Sequence, residues 1–74
     1  MEYNLQVIIE QDEDGKYVAE CPSLRGCYTQ GDTFEEAVGN IREVIEMCIE
    51  ELKEENSEIP IMEIVGIKNI KITA

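Results

Sequence analysis

Residues 33–55, TFEEAVGNIREVIEMCIEELKEE, constrain the fold more than any other stretch of this chain. Apolar side chains recur at Phe34, Ala37, Val38, Ile41, Val44, Ile45, Cys48, Ile49 and Leu52. Steps of three and four place them on one stripe of an amphipathic helix. Thr33 stands before the stripe as an N-cap, its hydroxyl accepting a hydrogen bond from a free amide of the first turn. Glu36 follows three residues later and completes a capping box by accepting from the Thr33 amide. The opposite face is crowded with carboxylates. Glu50/Glu54 and Glu51/Glu55 repel one another across a turn and sit at the negative end of the helix dipole. Burial of the stripe therefore has to hold this helix together. Gly39 costs roughly 1 kcal/mol relative to Ala in a helix interior, which suggests close approach to a sheet at that point. The sheet has to come from the segments on either side.

Residues 2–10, EYNLQVIIE, alternate: Tyr3, Leu5, Val7 and Ile9 point one way, Glu2, Asn4, Gln6, Ile8 and Glu10 the other. That is a half-buried strand. Asp14-Gly15 is a hairpin-turn signal. Residues 16–21, KYVAEC, make the returning strand, which Pro22 ends because it has no amide to donate. Ser23 to Gly26 form a loop, residues 27–30 a short third strand, and Gly31-Asp32 the turn into the helix. Asn56-Ser57 ends the helix. Pro60 opens a new segment, and residues 67–73, IKNIKIT, close the chain as a fourth strand. The order is β-β-β-α-β. It predicts a two-layer α+β domain, with the helix packed on one face of a four-stranded sheet and Ile41 and Ile45 between the layers. Residues 1–74 form one domain.

Several function classes are disfavoured by what the chain contains. There is no histidine, which removes the commonest general base, the Ser-His and Cys-His dyads and most zinc sites. Cys21, Cys27 and Cys48 match no zinc spacing and read as small buried apolar residues of a reducing compartment. Asp12-Glu13-Asp14 with Glu10 lacks the spacing of a calcium loop and reads as a solvated hairpin tip. No cofactor, metal or catalytic residue is expected. The formal net charge of -11 disfavours direct contact with nucleic acid and favours a basic protein partner. Met1-Glu2-Tyr3-Asn4 does not begin a signal peptide, and no apolar run spans a bilayer, so the chain is read as cytoplasmic and not membrane-bound.

Between Tyr17 and Asn40 the sequence resembles the HicB-like antitoxin family. The matching elements are Gly15 and Tyr17 in the second strand, Pro22-Ser23-Leu24-Arg25-Gly26-Cys27 in the loop, and Gly31-Asp32-Thr33 with Glu35-Glu36-Ala37 and Asn40 at the helix start; Pro60 also fits. Ser23 and Arg25 stand where the family commonly has Asp and Pro. The resemblance implies a partial ribonuclease-H-like fold with sheet order 3-2-1-4, and binding and inhibition of a small RNA-cleaving toxin. Many members add a C-terminal DNA-binding domain, so this chain is expected to be a short, stand-alone member without one. No acid stands at Gln6-Val7-Ile8 in the middle of the first strand, so no metal-dependent nuclease activity is expected. Most of these motif residues have structural roles: Gly26 and Gly31 in turns, Thr33 and Glu36 in the cap, Ala37 at a close helix–sheet approach, and Pro22 at a strand end.

Two readings are therefore set against each other: an antitoxin-like protein that occludes a small basic toxin, and a stand-alone homo-oligomeric module that binds another protein or a small ligand. Either is compatible with self-association, because the helix covers one sheet face only. Ile8, Val18 and Tyr28 fall on the other face if the register is right, among Gln6, Glu20 and Gln30. A homodimer or a dimer of dimers is expected, through that face or through edge pairing of IKNIKIT.

Overall fold

The computed structural model describes residues 3–74; Met1, and Glu2 of the expected first strand, lie outside the described residues. Its organisation starts at the hairpin turn. Gly15 has φ 84°, a left-handed conformation that glycine adopts without a Cβ penalty. Asp12 Oδ1 accepts the amides of Asp14 at 3.0 Å and Lys16 at 2.9 Å, so the carboxylate holds the turn together. This turn sets the register of β1 (Ile8–Gln11) against β2 (Tyr17–Glu20), antiparallel, with Ile8 opposite Glu20 and Gln11 opposite Tyr17. The ladder is shorter than the alternation from residue 2 predicts. On the same register Gln6 would face Pro22, which has no amide to give, so residues 3–7 keep their inward side chains but lose their backbone partners.

The chain then folds back through a compact loop. The Cys21 amide donates to the Cys27 carbonyl at 2.9 Å, and Gly26 turns the chain with φ 71°. β3 (Tyr28–Gly31) pairs antiparallel with β2, completing a sheet of order β1-β2-β3. Thr33 caps α1 (Phe34–Glu54), its Oγ1 accepting the Glu36 amide at 3.0 Å. Glu36 reaches back as expected, but its carboxylate accepts from the Asp32 amide at 3.3 Å rather than from Thr33. At the other end Asn56 adopts φ 56°, the Asn56 amide donates to the Lys53 carbonyl, and the Ser57 amide to Leu52 at 2.9 Å. These are the two bonds of a Schellman stop.

The helix lies chiefly over β3 and β2. Gly31 makes this possible: a Cβ there would stand 2.7 Å from the Ala37 amide nitrogen. Gly31 therefore serves close packing as well as the turn. Gly39 does not, since a Cβ at Gly39 would meet open space. The expected sheet contact at Gly39 is absent because it sits on the exposed face of the helix. The buried core consists of Ala19, Cys21, Leu24, Cys27, Ala37 and Ile41. Leu5, Val7, Ile9, Tyr17, Ile45 and Ile59 are among the half-buried residues packed against it.

Residues 67–73 do not form the expected fourth strand: the fold is α+β, a three-stranded antiparallel sheet with one helix. After Ile59 the chain is tethered at two points. The Met62 amide donates to Ser23 Oγ at 2.8 Å, and the Ile64 amide to the Gln6 side chain. The Ile64 amide thus bonds a side chain and not the backbone of the first segment, so no ladder starts there. Lys68 and Lys71 also break up the apolar residues beyond, and Gly66 adds backbone entropy, which reduces what a lone chain gains by ordering this segment.

Candidate interaction surfaces

Directly paired residues of neighbouring strands share a face, so the register decides which side chains stand together. Across the sheet Ile8, Glu20 and Tyr28 form one rung, and Glu10, Val18 and Gln30 the next. Ile8, Val18 and Tyr28 thus lie on one face, opposite the helix, with Glu10, Glu20 and Gln30 between them. Tyr28 is 67% exposed, while Ile8 and Val18 are half-buried. The result is a mixed apolar and acidic face on the side of the sheet away from the helix, with residues 61–63 beside Asn4 and Gln6 at its margin.

On the helix side the sheet is not centred. The helix sits over β2 and β3, and an open groove of about 350 Å³ remains beside the first segment. Tyr3, Leu5, Val7 and Ile9 line one wall, and Val38, Ile41, Ile45 and Ile49 the other, with Arg42 and Glu46 also lining it. Beyond Ile64 the chain leaves the body. Val65, Ile67, Ile70 and Ile72 are 94%, 90%, 73% and 79% exposed.

Sequence reasoning missed the anchor of this tail. Ser23 was legible only as a loop residue, yet it is buried and holds the Met62 backbone. Its one local signal was a small polar residue between Pro22 and Leu24. Gln6, read from the sequence as an outer-face polar residue and as lacking an acid, is the second tether.

Every described acidic residue is exposed. One ion pair forms among the described residues, between Lys16 and Asp32. The hydrogen bond to Asp32, and then its charge, hold the Lys16 ammonium above the usual lysine range. Among the described residues the remaining acids pair with no cation, and Arg25, Arg42, Lys53, Lys68 and Lys71 compensate them only at a distance.

Nothing in the cysteine cluster is arranged for chemistry. All three thiols are free, and Cys21 and Cys27 are buried. Burial, followed by the neighbouring Cys48 and Cys21, pushes the Cys27 thiol up to about 12, so it stays protonated and a poor nucleophile at neutral pH. Among the described residues no group of His, Cys, Asp or Glu side chains is placed to hold a metal ion. No helix there is long and apolar enough to cross a membrane.

The motif residues sit where they shape the fold. Tyr17 packs edge-on against Phe34, ring centroids 6.4 Å apart. Pro22 and Gly26 frame the loop that carries Ser23. Gly31 and Ala37 form the close approach, and Thr33 and Glu36 the cap. Asn40 donates its side-chain amide to the Gln30 carbonyl at 2.9 Å, tying the helix to β3. They do not converge on a site, and none lines the groove.

A family model for the HicB-like antitoxin of bacterial toxin–antitoxin systems matches residues 5–71. A UPF0150 protein of Synechocystis sp. is 47% identical over 66 residues, covering 89% of this chain and 90% of the relative. A UPF0150 protein of Thermoplasma acidophilum is 56% identical over 54 residues, covering 73% of this chain and 78% of the relative. A second Synechocystis UPF0150 protein is 53% identical over 58 residues, 78% of this chain and 73% of its own. The match runs from the first apolar segment through the loop, the cap and the helix to the C-terminal arm: this chain belongs to the HicB-like antitoxin family of bacterial toxin–antitoxin systems.

Proposed function

We propose that this protein is the antitoxin of a toxin–antitoxin pair, and that it binds and occludes a small basic RNA-cleaving toxin. The observation that carries the reading, beyond family membership, is the acidic surface: a formal net charge of -11, with the acids exposed and a single ion pair among the described residues. Such a surface attracts a basic partner, accelerates encounter with it and repels RNA and DNA backbones. The antitoxin acts by covering the toxin and not by cutting RNA, and it works in the cytoplasm, where such a toxin meets its substrate. The sheet is completed as the partial ribonuclease-H-like order 3-2-1-4 when residues 67–73 lie beside β1. The protein self-associates as a homodimer or a dimer of dimers, with Ile8, Val18 and Tyr28 in a contact on the outer sheet face.

The test is a toxin co-purified from the native host. The antitoxin should protect RNA from it at equimolar concentration and leave RNA intact by itself. The association rate should fall steeply with added salt, since screening removes the steering. A salt-independent rate would remove electrostatics from the account, and failure to protect RNA would refute the inhibitory role. Ile8→Glu should disrupt self-association measured by light scattering; an unchanged assembly would move that contact off the outer face.

A further inference from the structure

The open groove and the exposed arm complement each other. β1 is an edge strand, paired with β2 on one side and with no strand on the other among the described residues. Beside that edge the inner side chains Leu5, Val7 and Ile9 face a groove that the helix does not close. A strand laid along β1 would supply what is missing: backbone partners for the edge and apolar side chains for the groove. Residues 65–74 carry four of the nine exposed large apolar side chains among the described residues, Val65, Ile67, Ile70 and Ile72. In an extended arm Ile70 and Ile72 share one face, and Val65 and Ile67 the other. Laid along β1, one pair would enter the groove and the other would meet Ile8 on the outer face.

The shape of the chain bears on whose arm fills the place. The tethers at Ser23–Met62 and Gln6–Ile64 hold the arm's root, and beyond them its apolar side chains are exposed and none of them lines its own groove. The radius of gyration is 14.2 Å, with a long axis of 45 Å. A compact chain of this length has about 11 Å. We propose that residues 65–74 lie along the free edge of β1 in a second copy of this chain, each arm filling the other's groove in a closed, two-fold dimer.

Charge agrees with this pairing. The arm carries Lys68 and Lys71 and no acid, whereas all 17 acidic residues lie before it in the chain. Like charges keep two arms from pairing with each other, while the edge they would reach carries Glu10. The arm together with the ten groove residues approaches the roughly 20 residues per side of a stable interface.

The proposal rests on the fourth-strand reading above and concerns which chain supplies the strand. Light scattering on the whole chain at micromolar concentration should give a dimer, and the double variant Ile70→Glu with Ile72→Glu a monomer with unchanged helical circular dichroism. Differently tagged chains carrying Glu10→Cys and Lys71→Cys, mixed and oxidised, should form a disulfide between chains. A wild-type monomer, a dimer that survives the arm variant, or loss of the helical signal in that variant would overturn the exchange. When both cysteines are placed in one chain, a bridge within that chain would overturn exchange but leave the fourth strand beside β1. Absence of any bridge would overturn both. None of these outcomes depends on a toxin.

Discussion

Gly31 and Gly39 are eight positions apart and answer opposite questions. A Cβ at Gly31 collides with the backbone at Ala37, and no rotation of a side chain relieves that contact. Gly31→Ala should therefore force the helix off the sheet and lower the melting temperature. Gly39 is helical, exposed and free of neighbours, so Gly39→Ala should stabilise by about 0.5–1 kcal/mol through helix propensity. Thermal denaturation of the two variants side by side checks the pair; a stabilising Gly31→Ala would contradict the close approach. Cys27 makes a prediction about pH. Its folded-state value, about 12, lies above the ordinary 9.0, so the folded state holds the proton more tightly. The contribution is fully present below the unfolded value and is lost as pH rises from about 9 towards about 12. Melting temperatures should fall on going alkaline, and the fall should be shallower in Cys27→Ala.

The helix is the element on which the others depend. Its surface works against it: the like-charged Glu pairs near its C-terminal end oppose it by some tenths of a kcal/mol each, and Lys53 offsets little of that. Its stability comes from the buried stripe, in which Ala37 and Ile41 are the fully buried members. Ile41→Ala should cost about 2–5 kcal/mol, a large share of the roughly 5–15 kcal/mol that holds a typical domain together. Ile45 is only half-buried and borders the open groove, so Ile45→Ala should cost less. Chemical denaturation of both variants checks the order, and equal losses would mean that the groove is closed in solution.

At the scale of the whole molecule, charge dominates. A surface at -11 with one ion pair among the described residues repels itself, and that repulsion destabilises the compact state. Salt screens it, so the isolated protein should melt at higher temperature as ionic strength rises. The same salt should slow capture of a basic toxin. Opposite responses of folding and binding to one variable would identify the acidic surface as the cause of both, and a melting temperature insensitive to salt would remove self-repulsion from the account.

The sequence by itself determined the local elements. Thr33, the three-and-four spacing of the stripe and Asn56 bound the helix, because caps and periodicity are written in adjacent residues. The Asp14-Gly15 turn marked the hairpin, whereas the face shared by Ile8, Val18 and Tyr28 hung on a register that the two ladders decide. The family was legible from the loop and cap motifs together. Tertiary structure alone decided the rest. Whether Gly39 meets the sheet depends on the rotation of the helix, and whether Gln6 has a backbone partner depends on Pro22 across the ladder. The role of Ser23 depends on a tail 39 residues away. The alternation in IKNIKIT marked a segment able to pair. It could not say with what, since a strand's propensity lies within its own residues and its partner lies elsewhere in space.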